Sequence, residues 1–241
     1  MLVAVVAALT VAVAVLAVEV RLARRGSMLD AVPLVLDGRV GGASGDLLDV
    51  VWMGDSTAAG VGASAATTAV PVLVAAELGR PVELTVVARS GATVADVVAF
   101  QLPALDRLDP DIVFVSVGAN DVTSLTSRDD FERRYRRLAA GLPSGARVVL
   151  LGVPDMGAVP RLAQPLRALA GWRGQQLDDI VRRVAHGTAS TYVDIAGRTG
   201  PDFRADPERF FAADDYHPSD EGYRRWAAAV LDEVGSTMLA S

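Results

Sequence analysis

Short apolar runs rich in β-branched residues alternate with segments of helical length along most of the chain. The runs cover residues 47–53, 82–88, 111–118, 146–153 and 190–195. Segments with patterns typical of helices cover approximately residues 67–79, 93–107, 129–140, 161–187 and 219–235. Nearly continuous apolar runs are typical of parallel strands that are covered on both faces. Five repeats of strand and helix therefore predict a doubly wound α/β sandwich.

The first 18 residues form a separate unit of different composition. They contain no charged side chain, and Thr10 is their only polar residue. As a helix with a rise of about 1.5 Å per residue they would span roughly 27 Å, close to the ~30 Å hydrocarbon core of a bilayer. We therefore predict a transmembrane helix, acting as a signal anchor, over residues 1–20. The alternatives are a cleaved signal peptide, a misassigned start site and a buried core helix.

The residues after this span indicate its orientation and the start of the main domain. Arg21, Arg24 and Arg25 follow the span, and the positive-inside tendency favours the cytoplasm for that side and hence for the domain. Residues 21–46 are predicted to form a juxtamembrane linker. Its stretch "DGRVGGASGD" lacks the GxxxxGK[ST] pattern of a phosphate-binding loop, so we predict a flexible loop there. Residues 47–241 are predicted to form one domain.

Composition excludes several kinds of chemistry. The chain has no cysteine, which excludes disulfides, thiolate metal sites and cysteine nucleophiles. Its two histidines, His186 and His217, are not spaced as a pair of metal ligands. His186 lies late in a predicted helix, where a cation is an ordinary capping residue. With a net charge of −6 the chain has no overall basic field, and no nucleic-acid partner is expected.

Polar residues follow each predicted strand at the edge where parallel strands end. Gly54 to Ser56 follow the first strand, and Arg89 to Gly91 follow the second. Gly118 to Asp121 follow the third, Pro154-Asp155 follow the fourth, and "ADDYHPSDEGY" (213–223) ends the loop after the fifth. In sheets of this kind ligands bind outside the carboxyl ends of the strands. We therefore expect residues from all five strand ends to approach one site.

The residue types at this edge suit nucleophilic catalysis. Gly, Asp and Ser also form ordinary turns, so the first strand end alone does not distinguish a nucleophilic serine from a turn serine. A serine nucleophile needs a base, and the base needs an orienting group. We predict Ser56 as the nucleophile and His217 as the base. Asp214, three residues before His217, is the predicted orienting carboxylate, although spacing alone does not exclude Asp215.

Acyl transfer also needs hydrogen-bond donors at the position where the oxyanion develops. The candidates come from three different strand ends. They are the backbone N–H of Ser56, the backbone N–H of Gly91 and the side-chain amide of Asn120. Asp55 and Asp121 are predicted to have structural roles in the adjacent turns.

Four short blocks resemble the SGNH, or GDSL-type, serine hydrolase family over about residues 47 to 235. They are "GDS" with Ser56 at the nucleophile position, a glycine after the second strand (Gly91), "GxND" with Asn120 as the oxyanion amide, and "DxxH" from Asp214 to His217. The "GxSxG" elbow of α/β-hydrolases is absent around Ser56. The resemblance implies a three-layer α/β/α sandwich with a five-stranded parallel, flavodoxin-like sheet. It also implies hydrolysis through a covalent acyl-enzyme without a metal or cofactor.

The leading functional expectation is a membrane-anchored esterase of the lysophospholipase or thioesterase kind, with a small-molecule or lipid ester as substrate. One alternative is a carbohydrate O-acetylesterase or an acyltransferase that uses the same triad. The other is a non-catalytic binding module on the same fold. Segments 121–131 and 154–172 are expected to form loops over the site and to set specificity, the second as a lid or as a wall of the acyl pocket. The sequence does not indicate an oligomeric state.

Overall fold

The computed structural model describes residues 34–238, and within this range six strands form one mixed sheet. The strands are β1 (Gly38–Gly41), β2 (Leu48–Gly54), β3 (Pro81–Ala88), β4 (Ile112–Ser116), β5 (Arg147–Leu151) and β6 (Thr191–Val193). Their order across the sheet is β1-β3-β2-β4-β5-β6. β1 is antiparallel to β3, and every other neighbouring pair is parallel. The five predicted parallel strands are therefore present as β2 to β6, in the order of a flavodoxin-like sheet.

Strand β1 corrects two predictions, the five-stranded sheet and the flexible loop at "DGRVGGASGD". Gly38 pairs with Leu84 and Gly41 pairs with Pro81 along the outer edge of β3. This pairing uses backbone groups, so it needs no apolar side-chain pattern. A four-residue strand with glycine at both ends shows no clear alternation, which is why the sequence did not indicate it. Part of the predicted linker, residues 21–46, therefore belongs to the sheet.

Helices cover both faces of the sheet, largely where the sequence predicts them. Besides a short 3-10 turn at Ala66–Thr68, those in the described range are α1 (Val70–Ala76), α2 (the continuous turns Val94–Asp96, Val97–Gln101 and Leu102–Arg107), α3 (Ala119–Thr123), α4 (Arg128–Ala140), α5 (Leu166–Gly187), α6 (Ile195–Ala205), α7 (Pro207–Phe210) and α8 (Asp220–Met238). Helix α8 packs against α1 and α6, whereas α4 packs against α5 and the start of α2. The sheet lies between these two groups, which gives three layers.

Helix α6 occupies part of the segment that the sequence predicted as a loop after the last strand. Asp194 caps this helix, because its side chain accepts the Gly197 N–H at 2.7 Å. Gly197, Gly200 and Pro201 lower the intrinsic helix propensity, so the pattern looked like a loop. Phe203 is buried on the same helix, and this tertiary packing outweighs the weak propensity.

The predicted transmembrane helix at residues 1–20 lies outside the described residues. Within residues 34–238, no helix is both long and apolar enough to cross a bilayer. The two longest, α5 and α8, carry charged side chains along their lengths, as is typical of helices that cover a sheet.

The strand order creates a crevice at the carboxyl ends of β2, β3 and β4. After β2 the chain adds β3 on one side and then crosses back to add β4 on the other. Such a reversal is the usual place for a ligand in an open α/β sheet. Beneath it, Trp52 of β2 stacks on its register neighbour Phe114 of β4 with ring centroids 4.4 Å apart, and both are fully buried. The residues directly below the crevice therefore belong to a closely packed hydrophobic core.

Candidate active site

The turn that follows β2 requires glycine at position 54. A Cβ on Gly54 would lie 1.9 Å from the carbonyl oxygen of Ser116 on β4. The buried Gln101 side chain holds the same residue, because its Oε1 accepts the Gly54 N–H at 2.8 Å and its Nε2 donates to the Gly54 carbonyl at 2.7 Å. The sequence interpretation missed Gln101, although an amide in the mostly apolar stretch 94–105 was an available signal. These contacts hold the strand end from which Ser56 projects.

Asp55 organises the turn around Ser56. Its Oδ1 accepts hydrogen bonds from the Thr57 backbone N–H at 2.9 Å and from the Thr57 hydroxyl at 2.8 Å. The Thr57 hydroxyl also contacts the Ser116 hydroxyl at 2.9 Å. Burial raises the pKa of Asp55 to about 6, although the hydrogen bonds from Thr57 favour the charged form. The contacts of Asp55 are therefore those of a turn residue that joins the ends of β2 and β4.

Ser56, His217 and Asp214 form one chain of hydrogen bonds. The Ser56 Oγ lies 3.0 Å from His217 Nε2, and His217 Nδ1 lies 2.6 Å from Asp214 Oδ2. All three residues are buried, with exposed fractions of 6% for Ser56 and 2% for His217. The order of the groups is that of a nucleophile, a base and an orienting carboxylate. The fold thus joins a serine and a histidine that are 161 positions apart in the sequence.

The structure also distinguishes between the two carboxylates that spacing left open. Asp214 is buried against His217, whereas Asp215 is exposed and has a positive φ of 56°. The other Asp214 oxygen, Oδ1, accepts the backbone N–H groups of Tyr216 at 3.1 Å and His217 at 3.0 Å. Burial acts to raise the pKa of Asp214, but the hydrogen bonds from His217 and Tyr216 outweigh it and lower this pKa to about 2. Asp214 is therefore ionised at neutral pH.

Further contacts hold the loop that contains Asp214. Arg161 donates through Nη1 to the Asp214 carbonyl oxygen at 3.0 Å, and its backbone N–H donates to the Asp215 carbonyl at 3.1 Å. Ser219 accepts the backbone N–H of Gly222 on α8 at 3.2 Å and so caps this helix. Arg161 lies in segment 154–172, and the sequence interpretation did not single it out. The loop is therefore attached to a neighbouring loop on one side and to α8 on the other.

Gly91 and Asn120 line the same cleft as Ser56. Gly91 has a positive φ of 79°, a conformation that favours glycine. In the described part of the chain, neither the Ser56 N–H nor the Gly91 N–H donates a hydrogen bond to another protein group. Asn120 Nδ2 donates to the Ala92 carbonyl at 3.0 Å, which uses one of the two N–H donors of the amide. Each of the three predicted oxyanion donors therefore retains an N–H for a ligand.

Two other polar residues from the sequence analysis, Asp121 and His186, belong neither to the Ser56–His217–Asp214 chain of hydrogen bonds nor to the three oxyanion donors. Asp121 is buried, which raises its pKa, and its Oδ2 accepts the Val94 N–H at 2.9 Å, joining α3 to the start of α2. His186 is exposed in the last turn of α5, just before the amino end of β6. It lies at the opposite edge of the sheet from His217.

A cleft of about 490 Å³ opens beside Ser56. Small-molecule sites commonly have volumes of roughly 300–1,000 Å³. The aliphatic lining of the cleft consists of Val122, Leu125, Leu162, Leu166, Leu169 and Ala170. Leu125 and Leu169 are 70% and 42% exposed, so they also form part of its rim. Both segments that were expected over the site, 121–131 and 154–172, contribute to this lining. They are not loops throughout, because Val122 lies on α3 and residues 166–170 lie on α5.

A second pocket, of about 40 Å³, also reaches Ser56 and His217. Its apolar lining includes Met156, Val159, Phe203, Phe211 and Trp226. A cavity needs roughly 10–15 Å³ to hold one water, so this pocket accepts only a very small group.

The three-layer sandwich, with a Ser–His–Asp chain of hydrogen bonds at its strand ends, defines a serine hydrolase of the SGNH type. The chain belongs to the GDSL-like lipase/acylhydrolase family, whose sequence profile matches residues 52–225.

Known proteins resemble the chain in sequence and in fold. The GDSL-like esterase Rv1075c of Mycobacterium tuberculosis is 35% identical over 177 residues, which are 70% of this chain and 56% of that protein. The chain thus matches little more than half the length of this relative. The lipase/acylhydrolase of Enterococcus faecalis has a TM-score of 0.63 at 21% identity, over 79% of this chain and 96% of that one. Axe2, an acetylxylan esterase of Geobacillus stearothermophilus, has a TM-score of 0.58 at 24% identity, over 81% and 96%. At these identities the two structures show the fold alone.

Proposed function

We propose that the chain hydrolyses carboxylic esters through a covalent acyl-enzyme on Ser56. The observation that carries this proposal is the Ser56–His217–Asp214 chain of hydrogen bonds beside an open cleft. His217 Nε2 takes the proton of the Ser56 hydroxyl while the Oγ attacks the ester carbonyl. The ionised Asp214 accepts the Nδ1–H, which keeps Nε2 free to accept that proton and stabilises the imidazolium that forms.

The oxyanion that develops on the carbonyl oxygen is stabilised by the N–H groups of Ser56 and Gly91 and by the Asn120 amide. His217 then donates its proton to the leaving oxygen, so that the alcohol departs and the acyl group stays on Ser56. In the second half-reaction His217 takes a proton from water, and the resulting hydroxide attacks the acyl carbonyl. Release of the acid restores the Ser56 hydroxyl.

The acyl group that fits best is of medium length, as in a lysophospholipase- or thioesterase-like activity. Six aliphatic residues line the cleft beside Ser56 and offer a surface for an alkyl chain. Each methylene that such a surface buries contributes about 0.8 kcal/mol, or roughly fourfold in an equilibrium or specificity constant. The exposed rim at Leu125 and Leu169 leaves the mouth open for a large alcohol portion.

A second candidate function, an acetylesterase, is supported by the small apolar pocket of about 40 Å³ beside Ser56 and His217. An acetyl methyl is a small acyl substituent that such a volume can hold. The acetylxylan esterase Axe2 also has a similar fold. In this case the wide cleft would hold the alcohol portion instead of the acyl chain.

A series of p-nitrophenyl esters from acetate to decanoate distinguishes the two candidates. We expect kcat/KM to rise from acetate to about octanoate, and Leu169→Gln to lower the octanoate-to-acetate ratio about fivefold because a hydrocarbon contact is lost. Leu108→Gln is the matched control, since Leu108 is an exposed leucine just before the amino end of β4. An optimum at acetate that Leu169→Gln does not change would instead support the acetylesterase and assign the acyl group to the small pocket.

We also propose that residues 1–20 anchor the enzyme in a membrane with its catalytic domain in the cytoplasm. The uncharged run from Met1 to Val18 and the arginines at 21, 24 and 25 support this proposal. When membranes are extracted with alkaline carbonate, the full chain should stay in the membrane fraction. A shortened chain that begins at residue 27 should instead be found in the soluble fraction. Release of the full chain would refute the anchor, and digestion of the domain by protease outside intact spheroplasts would reverse the orientation.

A further inference from the structure

We propose that the cleft selects esters whose alcohol portion carries a phosphate group, which Arg173 and Arg161 attract. This inference rests on the proposed ester hydrolysis, and it specifies in addition that the preferred substrate is negatively charged.

The lining of the cleft is positively charged although the protein as a whole is negative. The chain has a net charge of −6, yet the described residues that line the cleft include two arginines and no aspartate or glutamate. A cleft lined by one sign of charge raises the local concentration of ligands of the opposite sign. Aliphatic walls next to two cations therefore suit an amphiphile with an acyl chain and an anionic head.

Arg173, on α5, is the first of the two cations. It donates through Nε to the Val122 carbonyl at 3.2 Å and through Nη2 to the Thr126 carbonyl. Within residues 34–238 it forms no ion pair with a carboxylate, and its Nη1 donates no hydrogen bond. A guanidinium has five N–H donors, so a phosphate can bind Nη1 without displacing either carbonyl. The two carbonyl contacts hold the side chain in place, which reduces the entropy lost when a ligand binds.

Arg161 extends the positive surface toward the catalytic loop. Its Nη1 donates to the Asp214 carbonyl at 3.0 Å, so the guanidinium lies close to the residues that act on the leaving group. Arginine suits phosphate because its planar donors match two phosphate oxygens and its charge is permanent. A phosphate on the alcohol portion would therefore be held in the cleft while His217 protonates the leaving oxygen.

Two esters with the same acyl chain test the proposal. 1-Octanoyl-glycerol and 1-octanoyl-glycerol 3-phosphate share the scissile bond and differ in the phosphate, and both are assayed as monomers with the full chain in a neutral detergent. We expect kcat/KM to be about tenfold higher for the phosphate ester, as for a hydrogen bond to a charged group. The preference should decrease as salt is raised, because ions screen the attraction.

Charge variants assign the preference to the arginines. Arg173→Gln should lower the ratio of the two kcat/KM values about tenfold, whereas Arg173→Lys, which keeps the charge, should retain most of it. Arg182→Gln is the matched control, because Arg182 lies on the same helix, is exposed and pairs with Asp179 away from the cleft. Circular dichroism of each variant verifies that it is folded.

Equal kcat/KM values for the two esters in the unmodified chain would overturn the proposal. A preference that persists in the double variant of Arg161→Gln and Arg173→Gln would also overturn it, as would an equal loss in the Gln and Lys variants at position 173. Absence of hydrolysis of both glycerol esters and of every p-nitrophenyl ester would instead refute the proposed ester hydrolysis itself.

Discussion

Replacement of Ser56 by alanine is expected to lower kcat/KM for p-nitrophenyl octanoate by about 10⁴- to 10⁶-fold and to abolish labelling by a fluorophosphonate. The substitution removes the Oγ that lies 3.0 Å from His217 Nε2, so no acyl-enzyme can form. It keeps the backbone N–H at position 56, and Gly91 and Asn120 are unchanged, so substrate binding should persist. Initial rates with the ester, together with gel detection of the fluorescent label, measure both effects.

Ser190→Ala is the matched control for this experiment. Ser190 precedes β6 at the amino edge of the sheet, where its hydroxyl contacts the Thr188 hydroxyl at 3.0 Å. This variant should keep the activity and the labelling of the unmodified chain. If a folded Ser56→Ala variant retained both, another hydroxyl would have to be the nucleophile, and Ser90, which also lines the cleft, would be examined next.

Asp214→Asn should lower kcat by about 10³- to 10⁴-fold with little change in KM. The asparagine keeps the size of the side chain, but its NH2 group cannot accept the Nδ1–H of His217. The imidazole then adopts the tautomer that carries the proton on Nε2, and this tautomer cannot take the Ser56 proton. Steady-state kinetics on a medium-chain ester measures the two parameters.

The effect of Asp214→Asn on the free energy of unfolding is also expected to depend on pH. The pKa of Asp214 is lowered from its ordinary value of 3.8 to about 2, so the ionised form stabilises the folded state above about pH 4. This contribution is lost as the pH falls toward about 2. The difference in unfolding free energy between the unmodified chain and Asp214→Asn should therefore narrow over that range.

Asp215→Asn is a closely matched control, because it makes the same chemical change one residue further along. Asp215 is exposed, and asparagine tolerates its positive φ of 56°. We expect activity within about twofold of the unmodified chain, since surface substitutions usually have small effects. An inactive Asp215→Asn beside an active Asp214→Asn would reverse the assignment of the orienting carboxylate.

The core of the fold and the residues of the site could be predicted for a common physical reason. Strands buried on both faces produce apolar runs, and the carboxyl ends of parallel strands lie at one edge. Ser56, Gly91 and Asn120 follow such strand ends, and His217 lies in the loop just before the last helix. Their proximity could therefore be inferred before any distance was known. Strand β1 escaped prediction because it is held by backbone pairing with β3, which leaves no side-chain signal.

By itself, the sequence determined the alternation of strands and helices and the residue types at the carboxyl edge of the sheet. It could do so because hydrophobic periodicity and the direction of each strand are local properties of the chain. Only the tertiary structure decided that Asp214 faces His217 while Asp215 faces solvent, and that Gln101 holds Gly54. It also placed Arg161 and Arg173 in the lining of the cleft. These features depend on the backbone angles of single loop residues and on contacts between distant segments, which no short pattern along the chain encodes.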